Sequence, residues 1–202
     1  MSIRFIDGML DRAVAISRAT ALCGGFLTLG SVLLISFDVL ARKLLGFSTG
    51  GADELSSYAF AISTSWALAF ATLQRANVRV DLVYQHLPKP LSAFLDWLSV
   101  VVLATFMAVL TVHAYGVAAS SWTQGSAANT PLGTPLYIPQ GLWFLGLLWM
   151  CLVLALMLVK TSLALVGGRL DEIKAIAGVR STQEEAEEEA AAGARLVREA
   201  AR

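Results

Sequence analysis

The sequence predicts an all-α integral membrane protein with four transmembrane helices and both termini on the cytoplasmic side. Three observations carry that prediction. The chain of 202 residues is 56% hydrophobic and only 15% charged, whereas an ordinary soluble domain is about 25% charged. Its apolar residues fall into long runs, two before and two after a polar island at residues 74–96. The Lys and Arg residues flanking those runs are distributed very unevenly.

Residues 1–18 set Ile3, Phe5, Ile6, Met9, Leu10, Val14 and Ile16 among Arg4, Asp7, Asp11, Arg12 and Arg18. That spacing approximates one helical face and predicts a short helix lying at the membrane surface. The apolar run from Ala19 to Phe37 is 19 residues long. It exceeds the roughly 7–15 residues of a signal-peptide core, so the reading is an uncleaved first span over about 19–41. The span closes on Asp38, Arg42 and Lys43. Asp38 and Arg42 stand four apart with the acid first, which places them on one helix face as an ion pair. A paired carboxylate near the interface is tolerable, while a lone one would suggest ion or proton coupling.

Three glycines mark a loop over residues 44–52, and Asp53 and Glu54 open the second span at a helix N-terminus that favours acids. Residues 55–74 carry no charge and give about 30 Å of helix, enough to cross. Ser57, Ala61, Ser65 and Ala69 form a row of small residues beside a bulky row of Tyr58, Ile62, Trp66 and Phe70. Such a small row lets another helix approach closely, within this chain or across an interface. The island follows, with Arg75, Arg79, Lys89, Asp81 and Asp96; Pro88 and Pro90 break any continuing helix, and Val78 to Val83 read as an interfacial helical turn.

From Trp97 to Val159 there is no Asp, Glu, Lys or Arg. A turn-rich connection over residues 123–135 divides this stretch into a third span, about 98–120, and a fourth, about 138–159. The membrane domain is therefore 19–165, followed by a tail, 166–202. The tail begins with a mixed-charge segment and ends in an Ala- and Glu-rich stretch with too few large apolar residues for a core, read as a solvated helix or disordered. With four spans, Arg4, Arg12, Arg18, Arg75, Arg79, Lys89, Lys160, Arg169, Lys174 and Arg180 share one side, and only Arg42 and Lys43 the other. Positive residues stay inside, so both termini are cytoplasmic.

The chemistry that such a chain can perform is narrow. Cys23 and Cys151 lie within apolar runs without CxxC or histidine neighbours, and read as packing residues. His86 and His113 are too few and too far apart to hold a haem between helices; His113 reads as a helix–helix hydrogen-bonding residue. Walker and HExxH motifs are missing, as is the clustered basic face of a nucleic-acid binder. No catalytic, substrate-binding or metal-ligating residues are expected. The residues lead to a small four-span subunit with partners.

A set of short motifs goes further. Phe37-Asp38-Val39-x-x-Arg42 closes the first span, Asp53-Glu54-Leu55-x-x-Tyr58 opens the second, and Arg75-x-x-Val78-Arg79-Val80-Asp81 precedes Leu87-Pro88. Thr134-Pro135-Leu136-x-Ile138-Pro139 leads into the fourth span. In order and spacing, over residues 15–165, the chain resembles the small membrane subunit, DctQ type, of TRAP (tripartite ATP-independent periplasmic) transporters. Asn77 departs from the family pattern, where many members carry a His, and the acidic tail lies outside it.

The resemblance implies a non-enzymatic scaffold in the cytoplasmic membrane of a bacterium or archaeon. It would assist a large polytopic subunit that binds sodium and takes up an organic acid or similar solute. A periplasmic substrate-binding protein would deliver that solute. Membrane lipids are the remaining partners, and no cofactor is expected in this chain. Structural or interface roles fall to Asp38, Arg42, Glu54, Ser57, Tyr58, Ala61, Ser65, Trp66, Ala69, Arg75, Arg79 and Asp81. Two other classes stay open: a membrane anchor for a redox complex, and a free-standing small exporter using Asp38.

Overall fold

The computed structural model describes residues 3–75 and 87–178, with isolated positions 190, 193–194 and 198. Among the described residues there are five helices and no strands: α1 (Ile3–Leu44), α2 (Ala52–Leu73), α3 (Lys89–Thr123), α4 (Tyr137–Val166) and α5 (Leu170–Ala177). The interfacial turn expected at Val78 to Val83, with Arg79 and Asp81, lies outside the described residues.

Three helices, α1, α3 and α4, are long and apolar enough to cross a membrane. The second expected span forms as α2 but falls outside that set. Six serines and threonines among its 22 residues dilute its apolar character.

The separate surface helix expected over residues 1–18 is the opening of α1, which runs unbroken for 42 residues, about 63 Å. Nothing in residues 3–44 terminates it, and its inward face continues without interruption. Ile6, Ala13 and Ser17 are buried, and Gly24 and Thr28 extend the same stripe at helical spacing. The prolines read as helix breakers start α3. Pro88 is extended ahead of the helix and Pro90 sits in its first turn, where a missing N–H costs nothing. The third span is thus the inner part of a 35-residue helix.

The four long helices stand in a row, α1–α2–α4–α3. α1 packs on α2, α2 on α4 and α4 on α3; α1 touches α4 lightly, and no extensive contact joins α3 to α1 or α2. The core runs along α4, where Leu147, Met150, Val153 and Leu154 are buried together with Ala69 of α2 and Val100 and Met107 of α3. α5 lies across the feet of α3 and α4. Its Ile173 is fully buried with Ala93 and Ala164, so the mixed-charge segment after the fourth span includes a packed amphipathic helix. Leu170, Ile173 and Ile176 carried that signal at spacings of three.

Candidate functional site

The sequence singled out one end of the row, where α1 stops and α2 starts, and the structure builds two carboxylate anchors there. Asp38 is buried, 2% exposed, and forms the expected ion pair with Arg42 through Oδ2. Its other oxygen holds the following loop. Ser48 Oγ donates to Oδ1 at 3.0 Å, and the backbone N–H and hydroxyl of Thr49 each donate at 2.7 Å. The carboxylate therefore accepts four hydrogen bonds and fixes the path of the chain from α1 to α2. Ser48 and Thr49 were not named from the sequence. A hydroxyl pair ten residues beyond a buried acid has no periodic signature.

Glu54 performs the same task for a more distant segment. Tyr58 Oη donates to Oε1 at 2.9 Å, as the Glu54-x-x-x-Tyr58 spacing allows. Thr130 Oγ1 donates to Oε2, and Thr134 contributes from its side chain and backbone. The hydroxyls of Thr130 and Thr134 hold the Glu54 carboxyl below the usual carboxylate range. The segment so captured is a small hairpin, with Ala128 N–H donating to Thr134 O at 2.9 Å and Leu136 N–H to Ser126 O at 3.0 Å. The hairpin rests on the first loop: a Cβ added at Gly50 would touch Pro131 at 3.7 Å, and Leu132 covers Gly51, where an added Cβ would overlap its side chain. Gly50 has φ +72°, a conformation that favours glycine.

Below this end, α2 is clasped from both sides. The expected small row divides. Ser57 and Ala61 are exposed, while Ser65 and Ala69 are buried, 2% and 0% exposed. A four-residue repeat overruns the 3.6-residue turn by about 40° per step, so a row of four cannot stay on one neighbour. Its lower half meets Gly146 of α4, where a Cβ would come within 2.5 Å of Ser65 Oγ and of Trp66 Cδ1. The Trp66 indole N–H donates to Leu142 O at 2.9 Å, one turn away.

The opposite seam, against α1, was not anticipated. Gly24 lies so close to Ser63 that a Cβ would sit 3.0 Å from its carbonyl oxygen. Thr28 Oγ1 donates to Ser63 Oγ at 2.9 Å, and Trp149 of α4 donates to Ser17 of α1 at 2.9 Å. The spacing Thr20-x-x-x-Gly24-x-x-x-Thr28 was the available signal.

At the other end of the row, Lys160 of α4 pairs with Asp7 of α1 at 2.7 Å. Arg75, just beyond α2, reaches Lys174 O of α5 at 3.5 Å. Among the described residues no helix of this chain supplies the hydrogen-bond partner expected for His113. The residue is exposed on α3.

Among the described residues the arrangement fastens helices and loops to one another and converges on no reactive centre. Residues 31–163, which include Asp38, Glu54, the hairpin and the α2–α4 seam, match the family model described as "Tripartite ATP-independent periplasmic transporters, DctQ component". The chain belongs to the DctQ family. That family is a transporter component and not an enzyme family, so the redox-anchor and lone-exporter readings give way. DctQ components work within a TRAP transporter beside a large membrane subunit and a substrate-binding protein. No curated protein and no solved structure matches the chain. The DctQ match ends at residue 163, before α5.

Proposed function

We propose that this chain is the small membrane subunit of a sodium-gradient-driven TRAP transporter for an organic acid or related solute. Its work is to scaffold the large transport subunit. The observation that carries this reading, beyond family membership, is the state of Asp38. It is the one carboxylate within the apolar stretch of α1, and both its oxygens are engaged by Arg42, Ser48 and Thr49. A carboxylate so committed suits a structural part and leaves no free group for ion coupling, which belongs to the partner on this reading.

On the same reading, α2 crosses the membrane with α1, α3 and α4, and both termini face the cytoplasm of a bacterium or archaeon. The hydroxyls of Ser57, Ser63, Thr64 and Ser65 support the crossing, since each donates to a carbonyl of its own helix. The basic residues grouped at the Arg75 and Lys160 end support the orientation. Sodium and solute then bind the large subunit, and this chain needs no cofactor.

The experiment is purification on a tag carried by this chain from cells expressing the neighbouring membrane genes. A large polytopic partner should be recovered, and the complex should transport only with a sodium gradient. Recovery of this chain alone, active in transport by itself, would overturn the reading. A reporter fused after Gly178 should be active only in the cytoplasm.

A further inference from the structure

We infer that the face of α3 turned away from α4, centred on His113, is the docking surface for a transmembrane helix of the large subunit. That helix presents a hydrogen-bonding group to the imidazole. The inference rests on the assembly role proposed above.

α3 has two distinct sides. Val100, Met107, Thr111 and Ala114 are buried and mark the side packed on the row. Phe106, Val109, His113, Gly116 and Ser120 are exposed and share the opposite side at helical spacing. His113 lies ten residues before the end of α3 at Thr123, about 15 Å along the axis, and inside the stretch from Trp97 to Val159 that carries no Asp, Glu, Lys or Arg. An imidazole has two ring nitrogens that require partners. In hydrocarbon they would have none, and ionisable groups within spans face protein or water for that reason.

α1, at the other edge of the row, shows what a lipid-compatible flank looks like in this chain. Its exposed residues Leu22, Phe26, Leu29 and Leu33 are wholly apolar. The α3 flank differs from it by an imidazole at membrane depth. At Gly116, three residues beyond His113, an added Cβ would meet no atom within 4 Å, so a foreign backbone can come close. Polar complementarity therefore selects a protein helix bearing a hydroxyl, carboxamide or carboxylate.

The test uses the whole complex, purified on a tag carried by this chain. His113→Leu and Gly116→Leu should lower the recovered large subunit by about fivefold, the scale of one interhelical hydrogen bond. His113→Gln, which keeps a donor and an acceptor, should retain most of it. A benzophenone side chain at Val109 should form an adduct with the large subunit, and one at Leu29 should not. The Val109 adduct, formed with His113 intact, decides the matter even where a leucine variant fails to accumulate. Full recovery with both leucine variants, or Val109 adducts only with lipid or a second copy, would overturn the docking surface while leaving the assembly role standing. Absence of any large subunit from the unmodified chain would remove the assembly role and this inference together.

Discussion

Where α1 stops and α2 starts, two carboxylates hold the chain; halfway down α2, contact with α1 and α4 is made by small residues and hydroxyls with no charge. The difference follows from the surroundings. At the loop end backbone groups leave their helical partners, and Asp38 and Glu54 replace them with charge-assisted bonds to Thr49, Thr130 and Thr134. Inside an apolar phase burying more hydrocarbon gives little drive between helices, so close approach at Gly24–Ser63 and Gly146–Ser65 supplies it. The loop end should thus answer to charge and pH, and the seams to volume.

The largest effect is expected at Gly146. A Cβ there already meets Ser65 and Trp66, including the Ser65 backbone carbon at 2.9 Å, and a helix backbone cannot step aside as a side-chain tip can. Gly146→Leu should cost at least the ~1–3 kcal/mol of ordinary overpacking, read as lost yield and a lower thermal midpoint of the purified chain. Normal yield and midpoint would mean that α2 and α4 are not held by close approach.

Asp38→Ala comes next. It removes the acceptor shared by Ser48 and Thr49 and leaves Arg42 unpaired. The loop after Lys43 should loosen, and trypsin should cleave there several-fold faster, with the α2–α4 seam intact. Asp38→Asn, which keeps one acceptor oxygen, should fall between. Neither should alter the sodium dependence of the surviving complex. A changed sodium dependence with normal assembly would return Asp38 to ion coupling.

Glu54 gives a smaller, pH-dependent effect. Its carboxyl is held below the ordinary value by Thr130 and Thr134. A group with a depressed folded-state pKa contributes stability that is fully present above its unfolded value, about 4.3, and lost as pH falls through the folded value. The difference in thermal midpoint between the native chain and Glu54→Gln should be constant near neutral pH and shrink below about pH 4. A difference that persists unchanged in acid would show that the Glu54 charge does not fasten the hairpin.

These contrasts mark what the sequence could express. Long apolar runs, the Asp38–Arg42 spacing and the acids at the head of α2 are local patterns, and each appears in the structure. Long-range partners left no such trace. Nothing in the spacing of Thr130 and Thr134 says that they reach Glu54, and nothing near residue 146 marks that glycine as the seat of α2. Helix ends misled for another reason. Charge and proline predict boundaries at residue 18 and at Pro88, yet α1 carries its buried face through the first, and the second is a helix start.

The smallest effect is expected within the row that divided. Ala61 and Ala69 lie two steps apart on α2, and their sequence surroundings gave no reason to separate them. Ala69 is fully buried among the core residues of α4, so Ala69→Leu should approach the cost of overpacking. Ala61 is exposed, and Ala61→Leu should change the stability of the isolated chain by no more than about 0.5 kcal/mol. Measured together in detergent, the pair isolates burial from side-chain chemistry, because residue, substitution and helix are the same. Equal losses for both would mean that a further segment of this chain covers Ala61. If only Ala69→Leu is costly to the chain itself, recovery of the large subunit with Ala61→Leu reports whether the upper half of the row meets that partner: a fall places it at the interface, and full recovery leaves it facing lipid.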